Sequence, residues 1–167
     1  MSCSRIAYHG FTLLEMIAAI VVTSVISVTL MPVVAGASDS YASARDVRNS
    51  TERVAFALDR IIRIAREAPI GEGGTGVGIA SATQSKVVFS DGTGIELSGT
   101  TLEMLVPGGN PVPLCFDVDS FVIQYFGEDG VADMILTPTQ SHRLAFTITT
   151  ENIEMSVLAY PRVWIGQ

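Results

Sequence analysis

Residues 11–37 read FTLLEMIAAIVVTSVISVTLMPVVAGA, a run of 27 positions in which Glu15 is the single charged residue. That run constrains the fold more than any other feature. About 20 consecutive apolar residues suffice for a helix to cross a bilayer. A helix also satisfies its own backbone hydrogen bonds, which hydrocarbon cannot do for it. The stretch is therefore expected to be one continuous helix, buried in lipid or in a bundle of similar helices. An ionised carboxylate is expensive in such surroundings and needs a partner. Arg5 lies just ahead of the run. It would hold that end in the cytoplasm and send the rest of the chain to the other side.

The order of parts at the N-terminus differs from an ordinary secretory signal, in which the apolar core precedes a small-residue cleavage site. Here the short polar stretch MSCSRIAYHG, residues 1–10, ends in Gly10, and the apolar run comes after it. A cut after Gly10 would leave the hydrophobic segment on the mature chain. Gly10, Phe11 and then TLLE, with Glu15 fifth after the junction, resemble the type IV prepilin cleavage and methylation motif. That motif is shared by type IV pilins, minor pilins and type II secretion pseudopilins. The resemblance covers residues 5 to about 38, and Pro32 falls where many members have a helix-bending proline. The leader is poorer in Lys and Arg than is usual in the family.

The resemblance implies that a prepilin peptidase cuts between Gly10 and Phe11 and methylates the new Phe11 amine. It implies assembly with other pilins or pseudopilins by packing of these helices, starting from the inner membrane with the C-terminal domain in the periplasm. Glu15 lies four residues from Phe11, about one helical turn. It would neutralise that amine on its own chain or on a neighbour, and so set the axial register. The alternative is a plain signal anchor with a chance glutamate. Pro32 removes a backbone hydrogen bond, and residues 23–29 are rich in β-branched residues and serine, which are mediocre helix formers in water. Local unwinding and a static kink both fit. Members that melt here often have a glycine upstream of the proline, where this chain has Ser24 and Ser27.

From residue 38 to 69 the helix is expected to continue in amphipathic form. Val47, Thr51, Val54, Leu58, Ile61, Ile62 and Ala65 recur at three- and four-residue spacing as one apolar stripe. Opposite charges stand at i,i+4 in Arg48–Glu52, Asp59–Arg63 and Arg63–Glu67. Six arginines lie between Arg45 and Arg66, but the interspersed acids favour a solvated face over an anion-binding surface. Ala68 and Pro69 end the helix.

Residues 70–167 read as a β-rich globular domain. Strands are expected at 86–90, 94–97, 101–105, 120–126, 134–136, 143–150 and 154–160, separated by SDGTG, LSGT, PGGNP and GEDG. Alternation in SFVIQYF and RLAFTITT predicts an antiparallel sheet with one face on the helix stripe. The fold class is α+β, and with the resemblance it becomes the type IV pilin-like arrangement of a long N-terminal helix on an antiparallel sheet. DSFVIQYFGEDG and KVVFSDGTGIELSGTTLEML are also similar to segments of J-type minor pseudopilins and W-type minor pilins. IGEGGTGVG, residues 70–78, lacks the Gly-Lys-Ser/Thr ending of a phosphate loop and reads as a flexible connection.

Composition narrows the function. The net charge is −7, and an acidic chain gains nothing from phosphate counterion release, so no nucleic-acid partner is expected. Of the two cysteines, Cys3 belongs to the leader, which leaves Cys115 without an intrachain partner. Cys115 and His142 would make a nucleophile and base only if the fold joined them; PLCFDV is an apolar context and suits a core thiol. No zinc spacing is present, and no cofactor is expected. Asp117, Asp119, Glu128, Asp129 and Asp133 are weak calcium candidates, since EDGVAD does not follow the EF-hand pattern. Tyr160 and Trp164 either finish the core or form an aromatic contact for neighbours. The leading reading is a non-enzymatic minor pilin or minor pseudopilin acting in an initiation or tip complex. A tip adhesin and a membrane-anchored periplasmic enzyme are the alternatives.

Overall fold

A computed structural model describes residues 12–131, 137–151 and 153–164. Helix α1, Leu13–Arg66, runs 54 residues without interruption. Eight strands follow: β1 Ile79–Ala82, β2 Lys86–Phe89, β3 Gly94–Ser98, β4 Thr101–Leu105, β5 Val112–Cys115, β6 Ser120–Phe126, β7 Arg143–Thr150 and β8 Ile153–Ala159. The fold is α+β with antiparallel sheets, consistent with a type IV pilin. The chain separates into two compact units, residues 1–45 and 46–167, described here one at a time.

In the first unit the apolar run is helical and bare from Leu13 onward. Its side chains, from Leu13 at 78 % to Val34 at 64 %, stand exposed along the whole segment. The 18-residue window of α1 that passes for a membrane span has mean hydropathy 2.4. Pro32 sits inside α1 and does not end it. The poor intrinsic propensity around Thr23–Thr29 is met by side chains that bond back along the helix. Thr23, Ser24 and Ser27 hydroxyls donate to the carbonyls of Ala19, Ile20 and Thr23 at 2.7–2.8 Å. Thr29 donates to Ile26 at 2.9 Å. Every one of these hydroxyls is thus satisfied without water.

In the second unit the C-terminal part of α1 builds one wall of the core. Val54, Ala57, Leu58, Ile61 and Ala65 are buried, close to the expected stripe. Two alanines with no exposure let the helix backbone come close to the sheets. Burying a side chain such as Ile61 stabilises by roughly 1.5–3 kcal/mol, and an aspartate there would strand a charge in the core. Val47, expected on the stripe, is 42 % exposed; it lies about two turns ahead of Val54, where the packed face begins. Arg48–Glu52 and Arg63–Asp59 pair at 2.8 and 3.4 Å. Arg63 turns to Asp59 rather than to Glu67, and α1 ends at Arg66 just ahead of Ala68-Pro69.

The strands form two sheets where one was expected: β1-β2-β3-β4-β5 and β6-β7-β8. Both supply the same core, with Val87, Phe89, Ile95 and Leu102 from the first and Ile123, Leu144, Phe146 and Ile148 from the second. Phe121 and Phe146 stack at 6.2 Å. Lys86 and Glu96 are cross-strand partners whose half-buried side chains bond at 2.8 Å. The sheets are clasped where β6 meets the β1–β2 turn: Ile123 N–H donates to the Gln84 carbonyl at 2.7 Å, and the Tyr125 hydroxyl donates to the Thr83 carbonyl at 3.0 Å. The strand expected at 134–136 lies outside the described residues.

The glycine-rich stretch is a closed loop rather than a flexible connection. Ile70 and Val77 form a β-bridge, and Gly71 N–H donates to the Gly76 carbonyl at 3.0 Å inside it. Gly73, Gly74 and Gly76 take positive φ of 67–76°, a region that side chains with a Cβ rarely enter. The glycines are there to make the turn, and the backbone bonds hold it shut.

Candidate processing and assembly site

The N-terminus of α1 is held by a reciprocal pair. Thr12 N–H and Thr12 Oγ1 both donate to Glu15 Oε2, at 2.8 and 3.0 Å. Glu15 N–H donates in return to Thr12 Oγ1 at 3.3 Å. This is a capping box, in which residues N-cap and N3 satisfy each other's orphan donors. The T-x-x-E spacing that announces it is legible in the sequence. Glu15 therefore has a local role in starting the helix as well as the one its charge implies. A carboxylate has about four lone-pair positions, and both side-chain bonds here go to Oε2. Capacity remains at Oε1 for an ammonium group. Gly10 and Phe11, the expected cleavage and methylation positions, lie outside the described residues. Pro32 lies 17 residues beyond Glu15, inside the uninterrupted helix.

The structure does not gather the acids proposed for calcium. Asp117 and Asp119 precede β6, while Glu128 and Asp129 follow it. Seven strand residues, about 20 Å of extended chain, separate the pairs. Among the described residues no group of three or more His, Cys, Asp and Glu side chains is placed to hold a metal. Asp117 instead faces Arg53 at 3.7 Å, with its backbone at φ 59°. Asp133 lies outside the described residues.

Cys115 and His142 are likewise not a pair. Cys115 ends β5, is buried, and its thiol donates to the Phe116 carbonyl at 3.5 Å. Burial pushes the thiol up from its ordinary value, against the pull of Arg53, which is the wrong direction for a nucleophile. His142 stacks on the Trp164 ring at 3.9 Å. Trp164 Nε1–H donates to the Ser141 carbonyl at 2.9 Å, and its ring packs against the core. Tyr160 is 52 % exposed. Trp164 thus finishes the core, while Tyr160 stays at the surface. A broad open groove of about 870 Å³ lies beside Arg53, Phe56, Phe116 and Asp117, with charges of both signs and no convergent set of reacting groups.

A family model for the prokaryotic N-terminal methylation motif matches residues 5–31. The match takes in residues 5–10, the Gly10–Phe11 junction, the Thr12–Glu15 cap and the apolar helix up to Met31. These features support a type IV pilin-like precursor, and its N-terminal helix has the length and composition of a membrane anchor. The motif implies processing by a prepilin peptidase and assembly with pilins. No curated protein matches the chain.

Proposed function

We propose that the chain is a structural, non-enzymatic subunit, a minor pilin or minor pseudopilin. It waits in the inner membrane as a single-pass protein with its C-terminal domain in the periplasm. It then enters a type IV pilus or type II secretion pseudopilus through its N-terminal helix, in an initiation or tip complex. The observation that carries this reading is the methylation motif at residues 5–31 running directly into a bare apolar helix. A helix exposed on all sides needs lipid or other helices around it, and a filament core supplies the second. Cleavage at Gly10–Phe11 would create an amine beside the capped end of α1. Glu15 would then neutralise it, because an unpaired charge is strongly disfavoured in a dry bundle. A lone mature cysteine favours a minor over a major subunit, since major pilins usually close a C-terminal loop with a disulfide or calcium.

The N-terminal peptide mass of the membrane-extracted protein from its own host tests this. A peptide that begins at N-methylated Phe11 is the expected result. A peptide that begins near Met1, in a strain whose other prepilins are processed, would refute it. Deletion scored for both pilus-dependent motility and exoprotein release then assigns the machine.

A further inference from the structure

The two sheets have four edges, and three of them are blocked. β1 is four residues long and carries a register shift between Ile79 and Ser81. β5 contains Pro113, which has no N–H to offer, and a second register shift in its pairing with β4. β6 is covered by the β1–β2 turn, which takes the Ile123 N–H and the Tyr125 hydroxyl. Short strands, bulges, prolines and covering loops are the usual guards of a sheet edge. β8 has none of them. It is seven residues long and pairs with β7 without a break from Leu144–Ala159 to Thr150–Ile153. It holds no proline and one charge, Glu154. Among the described residues no backbone group bonds its outer edge.

A second observation points the same way. The inward residues of β6 and β7 are closed off: Phe121, Ile123 and Tyr125 are 1–3 % exposed, and Leu144, Phe146 and Ile148 are fully buried. Of the inward residues of β8, Ala159 is fully buried, whereas Ile153, Met155 and Val157 pack on that core but remain only half-buried. The apolar face of the sheet therefore continues to the open edge and stops there unfinished. Charge then selects the occupant. Residues 70–167 hold eleven acids against Lys86, Arg143 and Arg162, a balance of −8, so a second copy of this domain is repelled. Glu154 points to the solvent side of the strand, as its exposure shows.

We propose that the outer edge of β8 accepts one extended strand from a different subunit, apolar on its inward face and bearing Lys or Arg beside Glu154. Backbone hydrogen bonds supply the attachment, and alternate side chains supply the specificity. That the strand comes from a filament subunit rests on the assembly reading above; the strand addition rests on the edge alone.

The test uses the full chain in detergent micelles and the peptide acetyl-Thr-Val-Lys-Val-Thr-Val-Lys-amide as probe. Hydrogen–deuterium exchange is read on the peptide covering residues 153–159. The probe should slow alternate β8 amides by about tenfold or more, saturably and without slowing other strand edges. N-methylation of the three valines, or of the four intervening residues, should abolish the effect for one set and spare the other. A Glu-for-Lys probe should bind about tenfold more weakly, and Glu154→Lys should invert that preference. No slowing at about 1 mM probe, or equal slowing with both N-methylated sets, overturns strand addition. In the host, Glu154→Lys should lower incorporation into sheared filaments while N-methylated Phe11 is still produced. Unchanged incorporation overturns the assignment of the partner to a filament subunit, and loss of Phe11 methylation would instead mark failure upstream of assembly.

Discussion

Tyr125→Phe removes one oxygen and tests the clasp between the sheets. The ring is 3 % exposed, so Phe fits the same space. The hydroxyl donates to the Thr83 carbonyl at 3.0 Å and approaches the Lys86 carbonyl at 3.4 Å. Such a bond contributes about 0.5–1.5 kcal/mol net, so the variant should be less stable by that amount at neutral pH. Burial also pushes the phenol well above its ordinary value. The folded chain then keeps a proton that the unfolded chain releases above about pH 10. The unfolded state binds fewer protons there, so stability falls as pH rises, at up to about 1.4 kcal/mol per pH unit. That slope belongs to the wild type and is absent in the variant. Other titrating groups are common to both chains and cancel in the difference. An advantage of about 0.5–1.5 kcal/mol lost at that rate vanishes between about pH 10 and 11, beyond which the variant is the more stable chain. Urea unfolding of the detergent-solubilised chain, followed through its one tryptophan, reads both arms. A difference independent of pH, or a variant more stable at neutral pH, would refute the reasoning.

Phe146→Ala removes a fully buried ring from the central strand of the three-stranded sheet; the urea midpoint should fall by the equivalent of about 3–5 kcal/mol with little change in slope. Glu15→Gln keeps an acceptor for the Thr12 cap and drops the charge, whereas Glu15→Ala drops both. Both should lose filament incorporation, scored by immunoblot of sheared filaments, and wild-type incorporation by Glu15→Gln would reduce Glu15 to a helix cap. Cys115 should resist iodoacetamide in the folded chain and label readily in urea, with the adduct mapped by mass to separate it from Cys3; fast labelling of the folded chain would reopen the enzyme reading.

The helix was legible because its two halves follow two simple rules. Uniform apolarity over residues 11–37 marks a span, and three- and four-residue spacing from Val54 to Ala65 marks a packed face. The strands rich in alternating Val, Ile and Phe were legible for a similar reason. β1 and β5 were not. IASA has too little apolar weight to show an alternation, and VPLC carries a proline that argues against a strand. It is tolerated because β5 is an edge strand that itself bulges there, with Leu114 left unpaired between Pro113 and Cys115. The division into two sheets depends on the clasp of Tyr125 and Ile123 onto residues 83–84, a contact across some forty positions that no local pattern encodes. The separation of the acidic pairs by β6 was in principle readable, since both flank a strand that the alternation had already placed.

The apolar half of α1 shows why weak helix formers can be tolerated in an assembly helix. In water, Thr23, Ser24, Ser27 and Thr29 would be drawn to solvent and to non-helical backbone bonds. Here each hydroxyl donates to a carbonyl on the preceding turn, so none needs an outside partner. Their apolar neighbours are exposed on every side. A surface of that kind suits lipid and a packed helix bundle equally, because neither supplies water and neither needs to. Transfer from one to the other leaves the hydroxyls satisfied. What changes is the electrostatics at the end of the helix, where a low-dielectric neighbourhood strengthens any pairing of Glu15 with an amine. On the proposed assembly reading, the segment would serve as anchor first and as packing surface later, and the step between them would turn on the Glu15 carboxylate.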